Sequence, residues 1–215
     1  MKSAEKIPMR AVMEALSRAI PDPGVWWPAD TRFEMIAGAV LTQNTSWAGA
    51  EKAVGNLKKA DLLTVRNLSA ADPELIRQAI VPCGYWRTKT LYLKEICAWF
   101  AENDAAAPAM DDASLRASLL GVRGVGEETA DDIILYAYRR GTFIYDAYAR
   151  RMLRAVGWGE YKTYAQARRS ADSAIRGERF TVEEYSVLHG LIVQAGKDAR
   201  KAGGWDAYRR SVLCL

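Results

Sequence analysis

Histidine is nearly missing from this chain. His189 is the only one in 215 residues, which excludes any multi-histidine metal site. Ser-His-Asp chemistry would have to rest on that residue, yet it shares an apolar helical face with Tyr185, Leu188, Ile192 and Val193, where a packed structural role is expected. Cysteine is scarce too. Cys83, Cys97 and Cys214 are too scattered for a CxxC pair, a zinc knuckle or a disulfide framework, and they read as free thiols. No apolar run approaches the length of a membrane span. The opening Met1-Lys2-Ser3-Ala4-Glu5-Lys6 is charged and leads into an amphipathic stretch with no apolar signal core, so a cytoplasmic location and no membrane partner are expected. Alternating strand patterns joined by hairpin turns are missing as well.

What is present is helical. Half the residues are hydrophobic, enough for one large core or two modest ones. The periodicity predicts helices over 11–20, 33–41, 48–60, 73–80, 88–100, 113–120, 127–140, 148–156, 164–175 and 182–200. Stops are marked by Pro21-Asp22-Pro23-Gly24, Pro82-Cys83-Gly84, the stretch 105–108, Gly141 and Gly157-Trp158-Gly159. Thr181-Val182-Glu183-Glu184 has the form of a capping box. A net charge of +4 is compatible with a polyanionic partner but decides little.

One stretch is more specific. A short apolar helix ends in Leu119-Leu120-Gly121-Val122-Arg123-Gly124-Val125-Gly126, and another opens at once with Glu127-Glu128-Thr129-Ala130. This is a helix-hairpin-helix pattern. Its glycines let backbone N–H groups approach an anion, and the following helix adds its dipole, so the unit can hold a phosphate without a charged side chain. Roughly twenty residues on, Phe143-Ile144-Tyr145-Asp146-Ala147-Tyr148 leaves one carboxylate in an apolar and aromatic run at a helix start. On local sequence Asp146 is an N-cap, a role compatible with a chemical one.

Hairpin and downstream aspartate together resemble the helix-hairpin-helix DNA glycosylases of the endonuclease III superfamily. The resemblance implies an all-α fold of two helical lobes. Residues 30–140 would form a six-helix lobe containing the hairpin at about 113–139, and residues 1–29 with 141–215 a second lobe built from both termini, the active site lying between them. It implies that Asp146 is the catalytic carboxylate, stabilising a developing oxocarbenium ion or orienting the attacking water, and that Val122, Gly124, Gly126 and Thr129 form the phosphate-binding hairpin. Members that also cut the backbone carry a nucleophilic lysine two residues after the second hairpin glycine. This chain has Glu128 there, so the resemblance implies a monofunctional enzyme that leaves an abasic site.

Further segments extend the resemblance. Ala39-Val40-Leu41-Thr42-Gln43-Asn44-Thr45 ends a buried stripe in a polar tip. In the superfamily this segment supplies a wedge that fills the gap left by a flipped base, which assigns Gln43 and Asn44 to that role. Gly84-Tyr85-Trp86-Arg87-Thr88-Lys89 resembles a second wedge loop with Tyr85 at the intercalating position, although Arg87 and Lys89 could equally be surface charges. Trp26-Trp27-Pro28, with Trp47 after the polar tip, looks most like the 3-methyladenine DNA glycosylase branch. The implied base pocket of Trp26, Trp27, Pro28 and Trp47 would stack on a cationic alkylated purine. The alternative is that these tryptophans are interface core.

The implied partner is damaged double-stranded DNA, acted on by a monomer. Many relatives carry a [4Fe–4S] cluster on four cysteines near the C-terminal end, where this chain has only Cys214, so no cofactor and no metal are expected. Lys197 lies where the cluster segment would begin. It is a candidate for a partly buried lysine, modified or paired with an acid, that ties the second lobe together; a solvated helix-end lysine is the alternative. Two other functions remain open: a mismatch or uracil glycosylase on the same fold, and a non-catalytic helix-hairpin-helix module that binds DNA.

Overall fold

The computed structural model describes residues 6–22 and 27–213, and every regular element among them is helical. The chain opens with α1 (Met9–Ala19). The middle carries α2 (Arg32–Leu41), α3 (Trp47–Lys59), α4 (Val65–Ala70), α5 (Pro73–Ile80), α6 (Trp86–Asn103), α7 (Asp112–Leu120) and α8 (Glu127–Asp132). The last part carries α9 (Ala147–Ala155), α10 (Tyr164–Gly177), α11 (Val182–Lys201) and α12 (Trp205–Tyr208). Chain contacts divide these into two compact units, Trp27–Arg140 and Met1–Trp26 with Gly141–Leu215.

Side-chain caps set most helix starts. Thr31, Ser46, Thr64, Asp72, Asp111 and Thr163 each accept a first-turn N–H, and Pro73 follows Asp72 at the first helical position, where its missing N–H costs nothing. The capping box at α11 is present, with Thr181 and Glu184 each accepting from the other's backbone. The short helices α4 and α12 escape the periodicity because each is shorter than two turns. The segment predicted as one helix over 127–140 departs from that prediction. After Asp132 it widens into a π turn, Ile133–Ala137, in which Tyr138 N donates to Ile133 O, and it stops at Arg139, whose φ is +54°.

In the middle unit α2 is the hub. Every residue from Phe33 to Leu41 is buried, so this helix is covered on all sides, by α3, α6 and the π turn among others. In the terminal unit the first helix is tied to the last part of the chain. Glu178 accepts from Met9 N and Arg10 N at 2.8 and 2.7 Å, and the Arg10 guanidinium reaches Glu184 at 2.9 Å, so a C-terminal carboxylate caps the N-terminal helix. Trp158 Nε1 donates to Ile7 O at 2.7 Å.

His189 is buried in α11, and burial pushes its pKa down to about 3. It is held neutral in the fold while the unfolded chain takes up a proton near pH 6.5. The stability this represents is therefore complete above about pH 6.5 and is lost as pH falls toward 3, with a limiting slope of about 1.4 kcal/mol per pH unit. Denaturation midpoints from pH 7 to 4 should show that slope in the wild type and a flatter profile in His189→Leu.

Candidate functional site

Within the middle unit the hairpin is a tight turn between α7 and α8. Val122 N donates to Leu119 O and Val125 N to Val122 O, both at 3.0 Å. Gly124 sits at φ +93°, and a Cβ there would lie 2.2 Å from the Tyr92 ring, so conformation and packing both demand glycine. Gly126 precedes α8 without a side-chain cap and faces open space. A shallow concavity of about 450 Å³ runs over Gly124, Val125, Gly126 and Thr129.

The two acids after the hairpin differ. Glu127 turns toward Arg116 at 3.4 Å, whose guanidinium also grips the buried Asp131 at 2.7 Å. Glu128 is exposed and lines the concavity itself, together with Gln43 and Asn44.

The predicted wedge residues have unlike surroundings. Gln43 Nε2 donates to Gly124 O at 2.8 Å and to Thr129 Oγ1 at 2.9 Å, so its amide is fastened to the hairpin. Asn44 is exposed at the tip with φ +50°. Tyr85 is 70 % exposed with φ +47°. The reading of Lys89 as a surface charge is corrected. It is 2 % exposed, and its ammonium donates to Leu41 O at 2.8 Å and Cys83 O at 2.9 Å, the ends of the two elements from which the tips spring. Burial pulls its pKa down, and no carboxylate faces it in these bonds. Nothing in the residue type or spacing could have identified this; a lysine three residues into a helix is ordinarily solvated.

Trp27, Pro28 and Trp47 line one cavity of about 260 Å³ beside α2 and α3. The two indoles meet edge to face with centroids 5.7 Å apart, and Trp27 lies close over Gly38, where a Cβ would come within 3.3 Å of its Nε1. Trp47 is 40 % exposed. Trp26 lies outside the described residues. The charged part of the rest of the wall is mostly acidic, Asp30, Glu34 and Glu51 against Lys58, between small and apolar residues such as Ala29, Ala50 and Val54. Glu34 is buried and held by Lys58 Nζ at 2.6 Å and Asp30 N at 3.0 Å.

Asp146 belongs to the terminal unit. It is buried after Phe143, Ile144 and Tyr145, and its Oδ1 accepts from Ala149 N at 2.7 Å, capping α9. Tyr145, fully buried, donates to Asp172 at 3.1 Å, and Arg150 donates to Tyr145 O at 2.9 Å, which fixes the backbone leading into the carboxylate. Burial pushes the Tyr145 phenol far above its ordinary pKa, so it stays a donor. Lys197 is exposed, not partly buried.

The thiols do not suit a cluster. Cys83 and Cys97 are buried in the middle unit, where burial raises both pKa values, and three cysteines cannot supply four thiolates. No group of three or more His, Cys, Asp or Glu side chains among the described residues could hold a metal ion.

Residues 37–176 match the family described as HhH-GPD superfamily base excision DNA repair protein. A Methanocaldococcus jannaschii protein named as a candidate DNA repair glycosylase is 38% identical over 197 residues, 88% of this chain and 88% of that one. Among solved structures, H. pylori 3-methyladenine DNA glycosylase bound to 1,N6-ethenoadenine superposes with a TM-score of 0.73 at 23% identity, covering 89% of this chain and 98% of that one. A trapped endonuclease III–DNA covalent intermediate superposes with a TM-score of 0.72 at 18% identity, covering 91% and 89%.

Proposed function

The chain belongs to the HhH-GPD superfamily of base excision DNA repair proteins and is a DNA glycosylase, and from that premise we propose that it releases an alkylated, cationic purine such as 3-methyladenine and does not cut the backbone. The observation that carries the choice of base is the cavity of Trp27, Pro28 and Trp47, whose remaining wall holds three carboxylates against one ammonium. Indole faces and excess negative charge both favour a cation. An N3- or N7-alkylated purine carries a formal positive charge. It leaves with the glycosidic electron pair, becomes neutral, and needs no acid.

The sugar is left as an oxocarbenium ion, and the Asp146 carboxylate is assigned to stabilise it and to orient the water that adds to C1′. The hairpin amides at Gly124 and Gly126 take a backbone phosphate. Asn44 and Tyr85, the exposed tips, fill the space left in the duplex, while Gln43 keeps the first tip against the hairpin. Glu128 stands where a lyase needs an amine, so no Schiff base forms. The enzyme acts on damaged duplex DNA as a monomer and without an iron–sulfur cluster.

A neutral lesion such as uracil would need free donors to the leaving base. Of the candidate donors, the Gln43 amide and the Tyr145 hydroxyl are already engaged and Asn44 is assigned to the gap in the duplex, which disfavours that reading. The test is incubation with duplexes carrying 3-methyladenine, 7-methylguanine, uracil or thymine opposite guanine, then alkali. Abasic sites on the first two are expected. Release of uracil or thymine alone would overturn the choice of base, and strand cleavage trapped by borohydride would overturn the assignment of Glu128. Glu34→Gln should narrow the preference for the cationic purine over neutral hypoxanthine by several-fold, read as the ratio of the two kcat/KM values.

A further inference from the structure

The segment that leads to Asp146, residues 141–145, is neither helix nor strand. The repeating backbone bonds that fix a regular element do not fix such a segment, and here the neighbouring helices hold it with their side chains. From α9, Arg150 donates to Tyr145 O at 2.9 Å. From α10, Asp172 accepts from the Tyr145 hydroxyl at 3.1 Å. Arg176, one turn further along α10, donates to the other Asp172 oxygen at 2.7 Å and reaches Gly141 O at 3.5 Å. One carboxylate–guanidinium pair therefore grips the segment at both ends.

The tyrosine between them is firmly seated. Its ring is fully buried, tilted against Phe143 with centroids 4.8 Å apart and edge-on to Tyr164 at 5.7 Å. Any acceptor would satisfy a buried phenol, but a carboxylate that is itself held by a guanidinium grips it more firmly than a neutral oxygen does. The Asp172 side chain is only 21 % exposed, so water competes little for this bond. Residue 145 is thus anchored through its side chain and its carbonyl at once. Adjacent Cα atoms lie only about 3.8 Å apart, so a movement of Tyr145 passes almost undiminished to Asp146. The bond from Ala149 N to Asp146 Oδ1 aims the carboxylate relative to α9, while the anchors on residue 145 set where the chain enters that helix.

We propose that Asp172 is a positioning residue for excision, which sets through the Tyr145 hydroxyl the place from which the Asp146 carboxylate acts on the sugar. The proposal rests on Asp146 as the catalytic carboxylate, although not on which base leaves. Asp172 acts through another residue, so its loss falls on the chemical step and spares the grip on DNA. Misplacing a reacting group by about 1 Å can cost about 100-fold in rate. With the Tyr145 ring and carbonyl still held, loss of the hydroxyl bond alone should cost about 10-fold.

The experiment is single-turnover excision at saturating enzyme, on whichever of the four duplexes the wild type processes fastest, with duplex affinity measured alongside. Tyr145→Phe keeps the ring packing and removes only the hydroxyl; it should lower the rate constant about 10-fold and leave Kd within about 2-fold, and Asp172→Ala should do the same. Asp172→Asn should restore most of the rate, because either end of the amide can partner the hydroxyl. Tyr145→Phe combined with Asp172→Ala should be no slower than the slower single variant. Asp172→Ala added to Asp146→Asn should cost no more than about 2-fold further, since the charge being positioned is gone.

Wild-type rates in Tyr145→Phe and Asp172→Ala, with Asp146→Asn still slow, overturn the proposal and spare the catalytic assignment. An undiminished loss from Asp172→Ala in the Asp146→Asn background also overturns it, since Asp172 would then support the unit at large. So does a loss confined to Kd. Full activity in Asp146→Asn overturns the catalytic assignment and the proposal with it. Should Asp172→Ala fail to fold, Tyr145→Phe with and without Asp146→Asn makes the same comparison.

Discussion

Asp146→Asn is expected to slow excision of 3-methyladenine by about 100- to 1,000-fold, the range for losing one preorganised electrostatic contribution to a charged transition state. The fold should survive. Asp146 caps α9 through one oxygen to Ala149 N, and asparagine offers an equivalent acceptor, so the melting temperature should move by no more than about 1–2 °C. Asp146→Ala removes both functions and should cost about 1 kcal/mol of stability in addition, roughly 2–4 °C for a chain of this size. Single-turnover kinetics and calorimetry on the two variants separate the carboxylate's charge from its capping bond. Full activity in Asp146→Asn would reduce this residue to a cap and reopen the reading of a helix-hairpin-helix module whose grip on DNA needs no carboxylate.

Lys89→Met is expected to have the largest effect on stability. Methionine matches the unbranched stem but leaves Leu41 O and Cys83 O without their donor in a buried site. Each carbonyl left unpaired costs about 1–3 kcal/mol, partly offset because the ammonium no longer has to be desolvated, for a net loss of about 2–4 kcal/mol. That corresponds to roughly 10 °C in melting temperature. The loss should reach the tips, because Thr42 through Thr45 and Gly84-Tyr85 leave directly from the two bonded carbonyls. A duplex with 2-aminopurine beside the lesion should show less base-flipping fluorescence at saturating Lys89→Met, measured well below its melting temperature. A variant that melts and flips like the wild type would mean that the two loops are held by other contacts.

These two residues mark how far the chain can be read from its sequence. Asp146 is legible as a helix cap because a carboxylate that closes an apolar run just before a helix has a local reason to accept a first-turn N–H, while its chemical role is what the family resemblance implies. Lys89 is not legible, because whether a lysine is solvated or buried depends on what other segments place around it. The same division holds for Gln43 and Asn44. As neighbours in one polar tip they look interchangeable, and only the approach of the hairpin gives the first its hydrogen bonds to Gly124 O and Thr129 and leaves the second exposed. For Lys197 the residues left two readings open, a partly buried lysine and a solvated helix-end one, and the structure places it exposed.

What the residues alone determined was therefore whatever is encoded over a few turns of chain: helical periodicity, caps, the glycine turn, the carboxylate at a helix start, and too few thiols for a cluster. The tertiary structure decided how segments far apart in sequence share one environment. It set the tryptophan cavity with its three carboxylates, the lysine that joins two loops, and the π turn that ends the hairpin's second helix. The reason is that charge and hydrogen-bonding capacity belong to a side chain, whereas desolvation and partners belong to its surroundings. The hairpin's glycines illustrate both sides: the turn they permit is local, but Gly124 is held to glycine by the ring of Tyr92, and its carbonyl is occupied by Gln43.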